Sequence, residues 1–126
     1  MVQVFTEGQH KGEFLVSRGP GDISFEKATL TAGQNVKDGR LLAVVGNKLV
    51  AATGALDSSG GSDEVIAGFA YGNYDATGGD KPIVIVARLA EVKENSITLH
   101  AVTGGGAAAA TAALKKAISA AFLIVR

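Results

Sequence analysis

Four consecutive β-branched residues, 83–86, stand within the apolar stretch 81–92. In an extended chain their side chains point to both faces, so this pattern predicts a strand that is covered on both sides. Pro82 precedes the run, where its missing amide N–H costs a β-ladder little. Polarity returns at Arg88 and Glu91, and we therefore expect the far end of the strand at the surface. We interpret this stretch as the central strand of a compact β domain.

Shorter stretches of alternating or apolar residues predict further strands, and glycine-rich turns separate them. The best-defined pair is 41–45 and 48–52, because Gly46-Asn47 between them suits a two-residue hairpin turn. Residues 53–63 carry almost no apolar side chains and are typical of a mobile surface loop. The other predicted strands are residues 12–17, 23–30, 65–71 and 97–102.

The alanine-rich segment 107–121 predicts a helix, because alanine has the highest helix propensity. Leu114, Ile118 and Phe122 recur at helical spacing and form one narrow apolar stripe. The three glycines 104–106 before the segment allow the chain to change direction. A phosphate-binding role for these glycines is not supported, because no Gly-Lys-Ser/Thr follows them.

An apolar tail follows directly on the predicted helix. Its side chains would be costly to leave in water, so we expect them to be buried against the domain or against a neighbouring subunit. The residues predicted to pack this tail are Ile118, Phe122, Leu123, Ile124 and Val125.

The first residues of the chain predict a short extended arm. Val2 and Val4 alternate with Gln3, and Phe5 and Thr6 follow. One interpretation is a frayed terminus, since chain ends are often poorly ordered. The alternative is a strand that completes itself on the sheet edge of a partner.

Length and composition limit the classes of protein that the chain can represent. Its 126 residues suit a single β-rich domain at 12–126, preceded by the arm at 1–11. Cysteine is absent, so we expect neither disulfides nor a thiolate metal site. Twelve basic residues balance twelve acidic ones without a basic cluster, which argues against a nucleic-acid partner. We also expect no signal peptide and no membrane partner, because the first residues lack a charged and apolar leader pattern and no apolar run approaches a membrane span.

Candidate catalytic and metal-binding residues are few and isolated. His10 and His100 have no second histidine, cysteine or paired carboxylate at ligand spacing, so we expect no metal site. Ser59 lacks the Gly-x-Ser-x-Gly context of a serine nucleophile. Asp75 and Asp80 could form a carboxylate site, although aspartates in loops more often serve turn hydrogen bonds. We therefore expect no catalytic residues and no cofactor.

Five segments carry motifs that follow one another in a recognisable order. They are 12–17 (GEFLVS), 28–35 (ATLTAGQN), 67–80 (AGFAYGNYDATGGD), 83–92 (IVIVARLAEV) and 123–126 (LIVR). As an ordered set they resemble the head decoration proteins of lambda-type tailed phages over most of the chain. Leu89 departs from this resemblance, which would place an acid before Ala-Glu-Val, and residues 40–66 match nothing distinctive.

The resemblance implies a mainly β fold, a bent β-ribbon or partly open small barrel (β-clip-like) with one short C-terminal α-helix. It implies a homotrimer without enzymatic activity, made in the host cytoplasm. This cement protein would sit on the outer capsid surface of the virion at local threefold sites, bind the major capsid protein and stabilise the expanded shell. The capsid-binding arm would consist of Val2, Gln3, Val4, Phe5 and Thr6.

Two alternatives remain open at this point. A small β-barrel module for a carbohydrate or another ligand would be monomeric, with a deep pocket and residues 53–63 as a lid. A trimeric nucleotide hydrolase on a similar fold would need a clustered acid and a phosphate-gripping loop. Asp75 and Asp80 offer a thin basis for both.

Overall fold

The computed structural model describes Gln3, Glu7 and residues 10–126. Strands dominate this part of the chain, and one α-helix follows near the C-terminus, so the mainly β fold expected from the sequence is confirmed. The strands are β1 (Leu15–Arg18), β2 (Phe25–Leu30), β3 (Asn35–Val36), β4 (Leu41–Val45), β5 (Lys48–Ala51), β6 (Val65–Ala70), β7 (Tyr74–Asp75), β8 (Lys81–Val86), β9 (Ala90–Val92) and β10 (Leu123–Val125). The helix is α1 (Ala107–Ala120), and two short 3-10 turns are Glu94–Ser96 and Gly104–Gly106.

Five strands form a small closed barrel in the order β2-β5-β4-β6-β8. The β4–β5 hairpin is the one that Gly46-Asn47 predicts, and its pairing is continuous up to the turn. Gly46 has a φ of 64°, as a primed hairpin turn requires. The expected ribbon becomes a closed barrel because β2 also meets β5 in parallel, at the pair Leu30 and Leu49.

A second, three-stranded sheet has the order β1-β9-β10, with β9 antiparallel to β1 and parallel to β10. The register places Ser17, Glu91 and Ile124 in one row, and Ala90 and Leu123 in the next. Ala90 and Leu123 are buried, whereas Ser17 and Ile124 are exposed. The first row therefore lies on the outer face of this sheet. Strands β3 and β7 form a separate two-stranded ladder.

Two clusters of buried apolar residues hold these parts together. The first draws on every barrel strand and so fills the barrel; it contains Leu30, Val36, Leu42, Leu49, Ala70, Ala76, Ile83, Ile85 and Ala87. The second joins the opposite faces of β4, β6 and β8 to α1 and to the three-stranded sheet. It contains Phe14, Leu41, Ala43, Ala52, Phe69, Val86, Ala90, Val92, Leu114, Ile118 and Leu123. The helix and the second sheet are thus packed on the outside of the barrel wall.

The stretch 81–92 forms two strands, β8 and β9, and not the single central strand that its pattern predicts. β8 is covered as expected, with Ile83, Ile85 and Val86 buried. Beyond it, Leu89 has a φ of 50°, which is incompatible with an extended strand. The chain leaves the barrel at this point, and β9 pairs in the second sheet.

Residues 97–102 do not form the strand that their alternation predicts. Their one bridge among the described residues is at Thr98. The side chain of His100 instead bonds the backbone of Val102 and the side chain of Thr111. Its Nδ1 accepts the Val102 N–H at 3.0 Å, and its Nε2 lies 2.8 Å from the hydroxyl of Thr111 in α1. This local bond favours a turn toward the helix over a strand.

Candidate functional site

The predicted arm falls almost wholly outside the described residues. Val2, Val4, Phe5 and Thr6 are not among them, and Gln3 is exposed. The role of the arm in binding stays a prediction, and so does the division of the chain into an arm and a domain.

The chain enters the domain through a fixed junction at residues 10–12. The Asp38 carboxylate accepts the Gly12 N–H at 2.9 Å. Gly12 has a φ of 77°, and a Cβ there would lie 2.6 Å from the Tyr71 ring, so this position requires glycine. The Lys11 ammonium lies 5.0 Å from the centroid of the same ring, within cation–π range. The junction therefore determines where the preceding residues meet the barrel.

A shallow groove of about 400 Å³ opens next to this junction. The rings of Phe25 and Tyr71 line it and meet edge to face, with centroids 5.1 Å apart. The Arg18 guanidinium lies 5.1 Å from the Phe25 centroid, so each ring already has a cationic partner from the chain itself. The groove is open, unlike the deep pocket that a ligand-binding module would need.

The end of α1 places a large apolar side chain in solvent. The helix ends at Ala120, and Phe122 has a φ of 61°. Glycine is usual at this position after a helix cap, because a Cβ makes the left-handed conformation unfavourable by about 1–2 kcal/mol. The Phe122 side chain leaves the helical stripe and is 73% exposed. The predicted stripe is therefore wrong at its third member and ends at Ile118.

Leu89 is the second large residue with a left-handed backbone. Its N–H donates to the Phe122 carbonyl at 2.8 Å, and its carbonyl accepts the Ser24 hydroxyl at 3.0 Å. Ser24 is fully buried, and its Oγ also accepts the Gly19 N–H at 2.8 Å. These bonds hold Leu89 on both sides, which allows an unfavourable conformation to persist. Among the described residues, Leu89 and Phe122 are the two non-glycine residues with positive φ.

Leu89 and Phe122 belong to an apolar patch, which we define as Ile23, Leu89, Phe122 and Ile124. Each of these residues is between 45% and 73% exposed. Leu89, Phe122 and Ile124 line an open groove of about 440 Å³ beside the second sheet. Ile23 and Leu89 both lie next to Gly19, which makes the patch continuous.

Two charged groups next to the patch, Glu91 and Arg126, are paired with each other. Glu91 Oε1 accepts hydrogen bonds from Arg126 Nε at 2.8 Å and lies 2.7 Å from Arg126 Nη2. Glu91 Oε2 accepts the Ser17 hydroxyl at 3.0 Å. The outer face of the second sheet thus combines an apolar surface with a neutralised carboxylate.

The residues predicted to pack the tail divide into two sets. Ile118 and Leu123 are buried in the cluster that joins the helix to the barrel. Phe122 and Ile124 are largely exposed, and Val125 is half-buried. Packing of the exposed pair within an assembly stays a prediction.

Asp75 and Asp80, considered above as a carboxylate pair, have separate partners: Asp75 holds a local turn, and Asp80 holds segments that are distant in sequence. Asp75 accepts the hydroxyl and the N–H of Thr77 at 2.7 and 3.0 Å, and these bonds lower the pKa of Asp75. Hydrogen bonds from Lys48 and from the Ala32 N–H lower the pKa of Asp80. A lowered pKa keeps both carboxylates ionised near neutral pH, which suits acceptance of structural hydrogen bonds better than proton donation.

The loop 53–63 is organised around Asp57. The Asp57 carboxylate accepts the hydroxyl of Ser59 at 2.7 Å, the Ser59 N–H at 2.9 Å and the Gly61 N–H at 3.0 Å. These bonds lower the pKa of Asp57, and the bond from the Ser59 hydroxyl has the largest effect. Ser59, considered above as a nucleophile, is thus a turn residue.

The described part of the chain also bears on metal, membrane and ligand sites. There, no group of three or more histidine, cysteine, aspartate or glutamate side chains could hold a metal ion. Over the same residues, no helix has both the length and the apolar character that crossing a membrane requires. Each buried polar side-chain atom that the structure describes has a hydrogen-bond partner, so none of them points to a missing ligand.

Comparison with known protein families identifies the family of this chain. A family model described as bacteriophage lambda head decoration protein D matches residues 4–118. The chain belongs to this family. The resemblance inferred from the five segments is therefore confirmed, and family membership indicates a role in decorating a phage capsid. No significant match was found among curated proteins.

The sequence indicated two members of the apolar patch of this decoration protein, Phe122 and Ile124, as tail residues that need a cover, but not that Ile23 and Leu89 join them. Ile23, Leu89 and Phe122 lie far apart in sequence. The pairing of β9 with β10 brings Leu89 close to Phe122, and the bond from Ser24 to the Leu89 carbonyl brings Ile23 close to Leu89. One local signal was present. Phe122 directly follows a helix, where the chain must change direction and glycine is usual.

Proposed function

We propose that the protein is a non-enzymatic cement that binds the outer surface of a phage head as a homotrimer at local threefold sites. Its partner is the major capsid protein, and its binding stabilises the expanded shell. The protein is made in the host cytoplasm and becomes part of the virion. The observation that carries this proposal is the family match over residues 4–118, which spans the junction, the barrel and most of α1.

The arm is the proposed capsid-binding element. Val2, Val4 and Phe5 supply apolar side chains, and the backbone of 2–6 can add a strand to a sheet edge of the capsid protein. The bond between Gly12 and Asp38 gives this arm a defined origin on the barrel. A defined origin reduces the conformational freedom that is lost on binding.

A trimer multiplies a modest contact of each arm. When one arm is bound, the other two face their sites at a high effective concentration. Avidity can exceed the affinity of one arm by about 10²–10⁴ in this way. Three short arms are therefore sufficient for stable attachment.

Selective binding also explains how the protein would stabilise the shell. If three arm sites come into register only on the expanded lattice, the trimer binds that lattice and not its precursor. Mass action then favours the expanded state. No chemical step is required of the protein.

Deletion of residues 1–7 tests the arm. We expect a folded trimer, with a mass near three truncated chains. This trimer should no longer bind expanded shells that lack the decoration protein. Light scattering measures the mass, and co-sedimentation with shells measures binding. An unaltered affinity of the truncated protein would refute the assignment of the arm.

A finer test separates the apolar side chains from the length of the arm. Simultaneous replacement of Val2, Val4 and Phe5 by serine should weaken shell binding by about 10² or more, because three weakened contacts act together. The matched control replaces Val65, which is 68% exposed on β6 and lies outside the arm, by serine and should bind like the wild type. Failure of the wild-type trimer itself to bind expanded shells would contradict the proposed function.

A further inference from the structure

We propose that the apolar patch, formed by Ile23, Leu89, Phe122 and Ile124, is a self-association surface that a second copy of this chain covers. The inference rests on the proposed function, because a closed homotrimer needs such a surface on every subunit. In a threefold ring the contact is heterologous, so the patch meets a different surface of the neighbouring copy.

The continuity of the patch distinguishes it from ordinary surface apolarity. Single exposed apolar residues are common and need no explanation. Here, however, Ile23 and Leu89 flank Gly19, and Leu89, Phe122 and Ile124 line one groove. Contiguous apolar surface of this kind marks interaction sites.

The backbone holds two of these side chains outward in conformations that disfavour them. Leu89 and Phe122 have φ values of 50° and 61°, and a hydrogen bond of 2.8 Å joins them. Buried Ser24 fixes the carbonyl of Leu89 from the other side. Glycine would fit both positions without strain, yet both carry large apolar groups. Strain that is retained in this manner is typical of functional sites.

The size of the patch suits the centre of a protein interface. Its four side chains expose on the order of 400 Å². A specific interface buries about 800 Å² on each partner, and slightly more than half of that area is apolar. The patch therefore supplies the apolar part of one side of an interface, and its surroundings supply the rim.

A second copy fits this surface better than the shell does. The carboxylate of Glu91 at the edge is already neutralised by Arg126, and the chain as a whole has no net charge, so like-charge repulsion between copies is small. A copy is also present from synthesis onward. The shell would cover Phe122 only after expansion and would leave it in water until then, which promotes non-specific association.

Two substitutions at one position test the inference. Glycine and asparagine both tolerate the left-handed conformation, so Phe122→Gly and Phe122→Asn remove the ring without adding strain. Light scattering at micromolar concentration should give a mass near three chains for the wild type and near one chain for both variants. We expect the dissociation constant of the assembly to rise by at least about thirtyfold, as for a central aromatic residue of an interface. Circular dichroism and cooperative unfolding should show that both variants are folded.

Val45→Ser provides the matched control. Val45 is 63% exposed on the β4–β5 hairpin and lies outside the patch. This variant should keep the mass of the wild type. A monomeric wild type, or a Phe122 variant that stays trimeric, would each overturn the inference.

Binding to expanded shells separates this inference from the proposed function. A wild-type trimer that does not bind shells contradicts the function and leaves the patch assignment standing. A Phe122→Gly protein that stays trimeric and binds shells overturns the patch and leaves the function standing. A monomeric variant keeps its arm but loses avidity, so its shell binding should weaken by about 10² or more.

Discussion

Large side chains at positions 89 and 122 occupy backbone conformations that usually belong to glycine. Two features allow this arrangement. The Leu89 N–H bonds to the Phe122 carbonyl, and the Leu89 carbonyl bonds to buried Ser24. Hydrogen bonds between residues that are distant in sequence thus offset the preference of Leu89 for a negative φ. Strain of this kind often occurs at functional sites, which supports the proposed role of the patch.

The conformation of residue 122 can be tested by two variants that both lack the ring. Phe122→Gly should be more stable than Phe122→Ala by about 1 kcal/mol, because only alanine has a Cβ that opposes the left-handed conformation. Both variants lack the same apolar group, so they should share one association state. Urea unfolding measures the difference. Equal stabilities, or a more stable alanine variant, would show that residue 122 is not left-handed in solution.

At the scale of elements, the barrel depends on one close approach between β6 and β8. The register of β4 and β6 shifts next to Gly68, which has a φ of 151°. A Cβ at this position would lie 2.2 Å from the Val86 carbonyl oxygen. The neighbouring atom is backbone and cannot rotate away. Closure of the barrel therefore requires glycine here.

Gly68→Ala should destabilise the domain by about 3 kcal/mol or more, since the clash adds to the backbone strain. The control is Gly46→Ala, at a φ of 64° with no atom within 4 Å of the added Cβ. That change should cost only the conformational term of about 1 kcal/mol. Thermal and urea unfolding of the two variants give the comparison, and a Gly68→Ala protein as stable as Gly46→Ala would contradict the close approach.

At the scale of the whole molecule, hydrogen-bonded aspartates tie stability to pH. The pKa values of Asp57, Asp75 and Asp80 are lowered by hydrogen bonds to their carboxylates. The unfolded chain therefore binds more protons than the folded one around the ordinary value of 3.8. The stabilising contribution is complete above that pH and is lost as the pH falls through the lowered folded values.

Thr77→Val tests this dependence at one site. The Thr77 hydroxyl is the largest cause of the lowered pKa of Asp75, so its loss should raise that pKa toward 3.8. The free energy of unfolding should then fall less steeply between about pH 4 and pH 2 than in the wild type. An NMR titration of the Asp75 carboxyl measures the shift directly. An unchanged titration would show that the hydroxyl bond is absent in solution.

The sequence by itself determined the parts of this protein that rest on local pattern. Gly46-Asn47 between two apolar runs specified the β4–β5 hairpin, and an alanine-rich segment specified α1, because turn chemistry and helix propensity act over a few residues. Ordered motifs also indicated the decoration family. Alternation failed at 97–102, where the His100 side chain hydrogen-bonds the local backbone. The apolar run at 81–92 did not indicate that Leu89 breaks the strand.

Only the tertiary structure decided which apolar residues would face solvent. Leu123 and Ile124 are equally apolar neighbours, yet pairing of β10 with β9 buries the first and exposes the second. Phe122 fits the helical spacing of Leu114 and Ile118, but a left-handed turn directs it away from the core. The physical reason is that burial depends on contacts between segments more than thirty residues apart, as between Glu91 and Ile124. Local spacing carries no information about those contacts.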